Sequence, residues 1–144
     1  MVQIAQVERF GGKFTNNKEL AQYPGIAISI TSFEADYQNS KGNPKYFDKG
    51  LNYKLEDRLV GDFLLYDASG NNVGEMKGAM WTSSKNAIRS LQPLVGQIVV
   101  VNVAKPDGYW NVNNVGGPLL DAIIADLEKR ESEIESAMDD APPF

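Results

Sequence analysis

The chain has 144 residues with neither Cys nor His, so it lacks disulfides, thiolate nucleophiles, imidazole bases and the common ligands of transition metals. Its formal charge of −5 is unevenly spread: residues 1–120 hold 12 Lys and Arg against 11 Asp and Glu, whereas residues 121–144 hold 2 against 8. Because the acid is confined to one end, the low isoelectric point does not exclude an anionic partner for the body.

The strands of the body are predicted from alternation and from β-branched runs. Ile26, Ile28 and Ile30 alternate with small or polar residues, which is the period of a half-buried strand, and a polar segment follows them. A turn rich in Gly and Asn, residues 67–72, predicts a hairpin, as does the Pro-Asp-Gly turn after Lys105. The predicted strands cover residues 2–7, 26–33, 59–66, 73–81, 97–104 and 109–115.

Two helices are predicted as well. Ser83 and Ser84 are suitable N-caps for a short helix over residues 83–91. Pro118 suits the first turn of a second helix, whose apolar residues form one stripe: Leu119, Leu120, Ile123, Ile124 and Leu127. Beyond Lys129 the pattern is mostly acidic, so we expect this helix to cover residues 118–134 and to give way to a flexible tail over residues 135–144.

The order of elements is strand, long loop, hairpin, short helix, hairpin. This order is typical of a five-stranded OB barrel, in which a helix lies between strands three and four and oligonucleotides bind on strands two and three. We therefore predict a mainly β protein with an OB-fold domain over residues 1–117. Another small β-sandwich with a decorating helix is the alternative fold.

The basic loop, which we define as residues 41–54, is the first candidate for binding a nucleic acid. Cations that follow phosphates and rings that stack on bases are together what single-stranded binding requires. The loop has only one acid, Asp48, and it also falls in the first long loop of the predicted barrel. A solvated loop whose rings anchor it to the core is the alternative. The candidate residues are Lys41, Lys45, Tyr46, Phe47, Lys49, Tyr53 and Lys54.

Alternation along a strand selects further candidates, because side chains at every second position share a face and a face that carries charge must be exposed to solvent. Tyr66 has the parity of Asp62, Trp81 that of Lys77 and Glu75, and Tyr109 that of two Asn residues. By the same rule Phe63, Met76, Met80 and Trp110 should face the core. The rings could equally be lids on the barrel. The cations proposed to contact phosphates are Arg58, Lys77, Lys85, Arg89 and Lys105.

The end of the chain, Asp139-Asp140-Ala141-Pro142-Pro143-Phe144, joins acids to a stiff Pro-Pro segment and a terminal ring. It resembles the acidic tip of bacterial and many bacteriophage single-stranded DNA-binding proteins. Ala141 stands where a further acid is common, and Pro142 where Ile is usual. The resemblance implies recruitment of replication, recombination and repair proteins through Asp139, Asp140, Pro142, Pro143 and Phe144.

Two functions are therefore expected to compete. The first is a protein that coats and protects single-stranded DNA and recruits partner enzymes through its tip. The second is a β-barrel interaction or structural module that binds no nucleic acid and docks through the same tail. Scattered acids such as Glu56, Asp57 and Asp62 leave a magnesium-dependent nuclease as a weaker alternative, so we expect no enzyme activity, cofactor or metal. Without an apolar leader or membrane-length run, we expect a cytoplasmic protein, of a cell or of an infected host, with no membrane partner.

Overall fold

The protein is mainly β, as the sequence predicts. The computed structural model describes residues 2–8, 10–12, 17–41, 43–84, 88–105 and 110–139. Within those ranges two short 3₁₀ helices, Pro44–Tyr46 and Arg89–Leu94, accompany seven strands and two α-helices. These are β1 (Ile4–Ala5), β2 (Phe10–Gly12), α1 (Asn17–Leu20), β3 (Gly25–Asn39), β4 (Lys54–Tyr66), β5 (Asn72–Ser84), β6 (Ile98–Ala104), β7 (Trp110–Asn114) and α2 (Gly117–Asp139).

The strands form one sheet in the order β2-β7-β6-β3-β4-β5, and β1 adds to β6. The neighbours along this path are antiparallel, and the short pairing of β1 with β6 is parallel. Over the described ranges, the sheet is an open path from β2 to β5 with no pairing between those two strands. The closed barrel expected from the sequence is therefore not seen in this part of the chain.

The sheet buries apolar side chains on both faces. The inner face carries the main core, where Ile28, Leu59, Phe63 and Trp81 pack with three valines of β6: Val99, Val101 and Val103. The outer face carries a second cluster, because α2 lies across it and places Ile123 against β3 and β4. The approach is close: a Cβ on Gly25 would stand 2.6 Å from Cδ1 of Ile123. The helix thus covers one end of the outer face and leaves the other end bare.

The outer-face cluster confirms most of the apolar stripe predicted for α2. Ile123 and Leu127 are buried in it, and Leu119 and Leu120 pack against it. The helix itself continues to Asp139, past the predicted end at residue 134.

The segment after β5 differs from its prediction. Ser83 and Ser84 belong to the end of β5, where they pair with Asp57 and Glu56 of β4, so they do not cap a helix over residues 83–91. A 3₁₀ helix over Arg89–Leu94 takes the place of the expected α-helix, and Leu91 is its buried residue. Strand pairing to β4 outweighs the local capping preference of the two serines.

The polar segment after residue 33 is also different, because much of it is strand. β3 runs on to Asn39 and β4 begins at Lys54, so the two strands extend together beyond the main core. We call residues 31–39 with residues 54–60 the arm, and the basic loop joins its two strands. Two irregularities in register, at Thr31 and at Ala35 with Asp36, interrupt the pleat. Asp36 adopts a positive φ of 56° to accommodate the second one.

A β-bulge at Lys77 and Gly78 reverses the parity of β5. Phe63 pairs with Met76 and Gly61 with Ala79, so Asp62 faces two residues of β5 instead of one. Gly78 takes a φ of 61°, and its N–H donates to Oδ1 of Asp62 at 3.0 Å. Beyond the bulge every side chain is on the face opposite to the one that simple alternation predicts.

Candidate nucleic-acid interface

The bulge corrects the predicted roles of two neighbouring residues. Trp81 was expected on the wet face, yet it is 1% exposed and packs in the main core. Met80 was expected in the core, yet it is 48% exposed and pairs with Val60 on the outer face. Phe63 is buried, as predicted. The side chain of Trp110 lies outside the described part of the chain.

Tyr66 is likewise not available for stacking, because α2 covers it. Its side chain is fully buried, and its hydroxyl donates to Oδ2 of Asp126 on α2 at 2.6 Å. Burial, followed by this hydrogen bond, raises the pKa of Tyr66 well above its ordinary value. The parity of Tyr66 with Asp62 was correct, but the outer face is dry at the Tyr66 end. The prediction failed because parity assigns a face and does not reveal a helix packed on it.

The bare end of the outer face belongs to the arm. Ser32, Val60 and Met80 point outward there, with Ser32 and Met80 exposed and Val60 half-buried. The same face continues toward the basic loop through Glu34, Tyr37, Arg58 and Lys54, since their pairing partners across β3 and β4 keep one parity. None of these residues belongs to the hydrophobic cluster under α2.

Arg58 and Tyr37 form a stacked pair on this surface. Cζ of Arg58 lies 4.1 Å from the centre of the Tyr37 ring, and Nη2 of Arg58 donates to Oε2 of Glu34 at 2.7 Å. The Glu34 carboxylate fixes the guanidinium plane, which then lies against the ring as a cation–π contact. The pair presents flat groups of the kind that stack on nucleic-acid bases. The side chain of Arg58 is therefore fixed by its contacts with Glu34 and Tyr37. Tyr37 is a candidate binding residue that the sequence prediction missed.

Tyr37 was missed because its segment has the composition of a loop. The segment Ser32 to Asn39 contains Glu34, Asp36 and Gln38, which lower its strand propensity. The two irregularities in β3 cancel, so Tyr37 lies opposite Glu56 on the outer face, where simple alternation from Ile26 and Ile28 would also place it. The signal was therefore present in the period of the strand, and low strand propensity concealed it.

The basic loop is ordered by its own polar contacts. The side chain of Asn43 accepts a hydrogen bond from the backbone N–H of Lys45 at 3.0 Å and caps the 3₁₀ helix. Oδ2 of Asp48 accepts from the N–H of Leu55 at 3.0 Å, so the one acid of the loop is tied to the start of β4. These contacts leave the Lys side chains on the outside of a defined turn.

The predicted residues of the loop divide into three groups. Lys41, Lys45 and Lys49 are exposed, and Phe47 and Tyr53 are half-buried. The side chain of Tyr46 lies outside the described part. Lys54 forms an ion pair within the protein, because its Nζ lies 3.1 Å from Oε1 of the buried Glu56. Asn39 adds a hydrogen bond of 3.1 Å to the other oxygen of Glu56, so that carboxylate adds no bare negative charge to the face.

Arg89, a predicted phosphate contact, is held by two carboxylates of the protein. Its Nη2 donates to Oδ1 of Asp57 at 2.9 Å and to Oδ1 of Asp36 at 3.2 Å. The hydrogen bond to Asp57 leads the causes that raise the pKa of Arg89 above its ordinary value. Because Asp36 and Asp57 sit on the two strands of the arm, Arg89 ties the arm to the 3₁₀ helix after β5.

The remaining predicted residues lie at the margins. Lys77 is exposed beside the bulge, and Lys105 is exposed just after β6. Lys85 and Tyr109 lie outside the described residues. Asp139 is the last residue of α2, and the predicted partner-binding residues Asp140, Pro142, Pro143 and Phe144 lie outside the described part.

Comparison of the chain with protein-family models, with curated proteins and with solved structures gives no match. No helix among the described residues is long and apolar enough to cross a membrane. The acids in that same part of the chain form no group of three or more that is arranged to hold a metal ion.

Proposed function

We propose that the protein binds single-stranded DNA along the bare end of the outer face and the basic loop. The observation that carries this proposal is the stack of Arg58 on Tyr37, which continues through the arm into the exposed Lys41, Lys45 and Lys49. Flat stacking groups beside flexible cations suit a DNA strand whose bases are unpaired. Such groups bind without recognising a particular base sequence.

The strand order supports the OB fold behind this proposal. In an OB barrel the first strand lies between the second and the fourth, and the third and fifth strands stand at the two ends of the opened sheet. The path β7-β6-β3-β4-β5 has this arrangement when β3 is taken as the first strand. The bare face then falls on the barrel strands two and three, where OB domains bind oligonucleotides.

The biological role rests on the resemblance of the C-terminal tip. A protein that coats single strands during replication, recombination and repair would use Asp139, Asp140, Pro142, Pro143 and Phe144 to recruit its partners. No catalytic step is part of the proposal.

Fluorescence anisotropy of a labelled oligo-dT, titrated at several salt concentrations, tests the proposal directly. We expect the double variant Lys45→Ala with Lys49→Ala to reduce the slope of log affinity against log salt by about 1.4, since each lost phosphate contact removes about 0.7. Lys129→Ala is the matched control, because Lys129 is exposed on α2. If the intact protein does not bind the oligonucleotide at low salt, the interaction-module alternative replaces this proposal.

The stacking pair is tested separately from the cations. Tyr37→Ala should lose about 1–3 kcal/mol of binding free energy if a base stacks at this position. Tyr37→Phe keeps the ring and should bind almost as well as the intact protein. Equal affinity of all three proteins, each with the same melting temperature, would mean that Tyr37 only supports Arg58.

A further inference from the structure

A cleft of about 600 Å³ lies between the second half of α2 and the outer sheet face. Its apolar lining includes Leu64 of β4, Ile98 of β6 and Leu127 of α2. Ile134, on the same helix, also lines the cleft and is 62% exposed. A large apolar side chain so exposed beside a concave apolar surface is typical of a docking site.

The charged groups of this cleft favour a cationic occupant. Its carboxylates come from Asp62, Glu75 and Glu131, against the two cations Lys77 and Arg130. Nε of Arg130 lies 2.8 Å from Oδ2 of Asp126, so the charge of Arg130 is already compensated within the helix. By formal charge, three carboxylates against two cations leave the lining net negative around an apolar floor, and it suits an apolar side chain flanked by Lys or Arg.

The basic loop of the same chain carries that combination. Leu51 is 42% exposed and lies two residues from Lys49. Its N–H donates to the carbonyl of Asp48 at 2.9 Å, and Gly50 in this turn has a φ of 78°. The turn projects Leu51 outward at the end of the arm, with Lys45 and Lys49 on the same loop. Leu51 and Ile134 are thus two exposed apolar residues on surfaces of opposite charge.

We propose that the turn around Leu51 of one molecule docks in the cleft beside Ile134 of a second copy of this chain. The two surfaces are different parts of the molecule, so the contact is head-to-tail and each docked copy offers a vacant surface to the next. Association then produces open chains that lengthen with concentration. The contact is small, so we expect association to be weak. It needs no nucleic acid, although it uses the basic loop that the proposed function assigns to DNA.

Sedimentation velocity of the intact protein without DNA tests the contact. We expect the mean sedimentation coefficient to rise steadily between about 10 and 500 µM at low salt, and the rise to be suppressed at about 0.5 M salt because the Debye length falls to a few ångströms. Leu51→Ser and Ile134→Ser should each remain monomeric over this range. Val95→Ser is the matched control, since Val95 is 43% exposed and belongs to neither surface, and it should associate like the intact protein.

Mixing the two variants separates head-to-tail docking from any symmetric dimer. Leu51→Ser retains the cleft and Ile134→Ser retains the turn, so an equimolar mixture can form one contact and should stop at a dimer. An intact protein that stays monomeric at every concentration overturns the proposal. So does association that persists in both variants, that is lost equally in Val95→Ser, or that stops at a dimer in the intact protein. DNA binding by Ile134→Ser then reports on the proposed function alone.

Discussion

Arg89 and Asp57 are joined by a hydrogen bond of 2.9 Å between Nη2 and Oδ1, and Asp57 has no solvent-exposed surface. The Arg89 guanidinium is in contact with solvent, whereas the Asp57 carboxylate is not, so the two partners differ in solvent exposure. Removing the Arg89 guanidinium leaves the buried Asp57 carboxylate without its cation, which lowers stability strongly. Removing both charged groups often changes stability little. The pair also fixes the base of the arm that carries the proposed binding surface.

We expect Arg89→Ala to lower the melting temperature clearly more than Lys41→Ala, which removes an exposed cation from the basic loop. Adding Asp57→Asn to Arg89→Ala should recover at least half of that loss, because the uncompensated charge is then gone. Thermal unfolding followed by circular dichroism measures all four proteins. A double variant less stable than Arg89→Ala would show that Asp57 is held chiefly by its other contacts.

Because of the bulge at Gly78, we expect substitutions of the adjacent residues Met80 and Trp81 to have opposite effects on stability and on DNA binding. Trp81→Ala should destabilise the fold by about 3–5 kcal/mol, because it empties a position in the main core. Met80→Ala should change stability by less than about 1 kcal/mol and weaken binding of single strands, because Met80 is on the bare outer face. Urea unfolding and oligo-dT anisotropy measure the two effects. The reverse pattern would mean that β5 keeps simple alternation and that the bulge is absent in solution.

The hydrogen bond from Tyr66 to Asp126 predicts two limits on stability with pH. Burial alone would raise the pKa of Asp126, but the hydrogen bonds from Tyr66 and Arg130 outweigh it and hold the pKa below its ordinary value of 3.8. This stabilisation is complete above that value and is lost as the pH falls through the lowered pKa. Because the pKa of Tyr66 is raised from 10.0, its stabilisation is complete below pH 10 and is lost as the pH rises further.

Melting temperature measured from pH 2 to pH 11 should therefore form a plateau with a fall at each end. Asp126→Asn should reduce the acid fall, and Tyr66→Phe should reduce the alkaline fall and cost about 1–2 kcal/mol at pH 7. The control is Tyr53→Phe, since Tyr53 lies in the basic loop, away from α2. Curves that coincide for all four proteins would contradict a role for this hydrogen bond in stability.

Removing residues 135–144 should tighten the binding of single strands. The segment carries Glu135, Asp139 and Asp140, and it follows Ile134 at the edge of the outer face. A tethered acidic segment competes with DNA for cations at high effective concentration, so the gain should be largest at low salt. Anisotropy at about 50 and 300 mM salt compares truncated and intact proteins. An unchanged affinity at both would mean that the tail does not approach the binding surface.

Phe144→Ala separates the charge of the tail from its ring. The side chain is neutral, so DNA affinity should remain nearly unchanged, whereas the tip should lose about 2–4 kcal/mol of binding to a partner pocket if Phe144 is a hot spot. Pull-down of replication and repair enzymes with immobilised intact and variant proteins provides the measurement, with Ala141→Gly as the control. Equal recovery by the three proteins would leave the tip as an acidic end without a specific pocket.

The elements with clear periodicity could be predicted from the sequence. Ile26 to Ile30 alternate and lie in β3, the valines of residues 99–103 lie in β6, and the apolar stripe around Ile123 packs on the sheet. These succeed because burial on one face dictates the residue type at every second, or every third and fourth, position. The mainly β class follows from them. The end of α2 does not, because the prediction ends this helix at residue 134 and the structure continues it to Asp139.

The candidate site was less predictable because it depends on departures from periodicity. One extra residue at Gly78 exchanges Met80 and Trp81 between faces. A glycine inside a strand often marks a bulge, but the prediction of strict alternation did not use that signal. Tyr37 was missed for a different reason, because its polar segment has low strand propensity although the tyrosine lies on the face that alternation from Ile26 gives. Tyr66 needed knowledge of which element covers the far face, which is a tertiary fact. The basic loop was recognised because charge and aromatic content are readable without any register.

The division of the outer face by α2 also sets a length. The bare part of β4, from Lys54 to Val60, spans about 20 Å at roughly 3.3 Å per residue. A strand held along it has room for few nucleotides, near the lower end of the range of about 4–16 that single OB folds cover. The helix that completes the second hydrophobic cluster therefore limits the number of nucleotides that each molecule can cover.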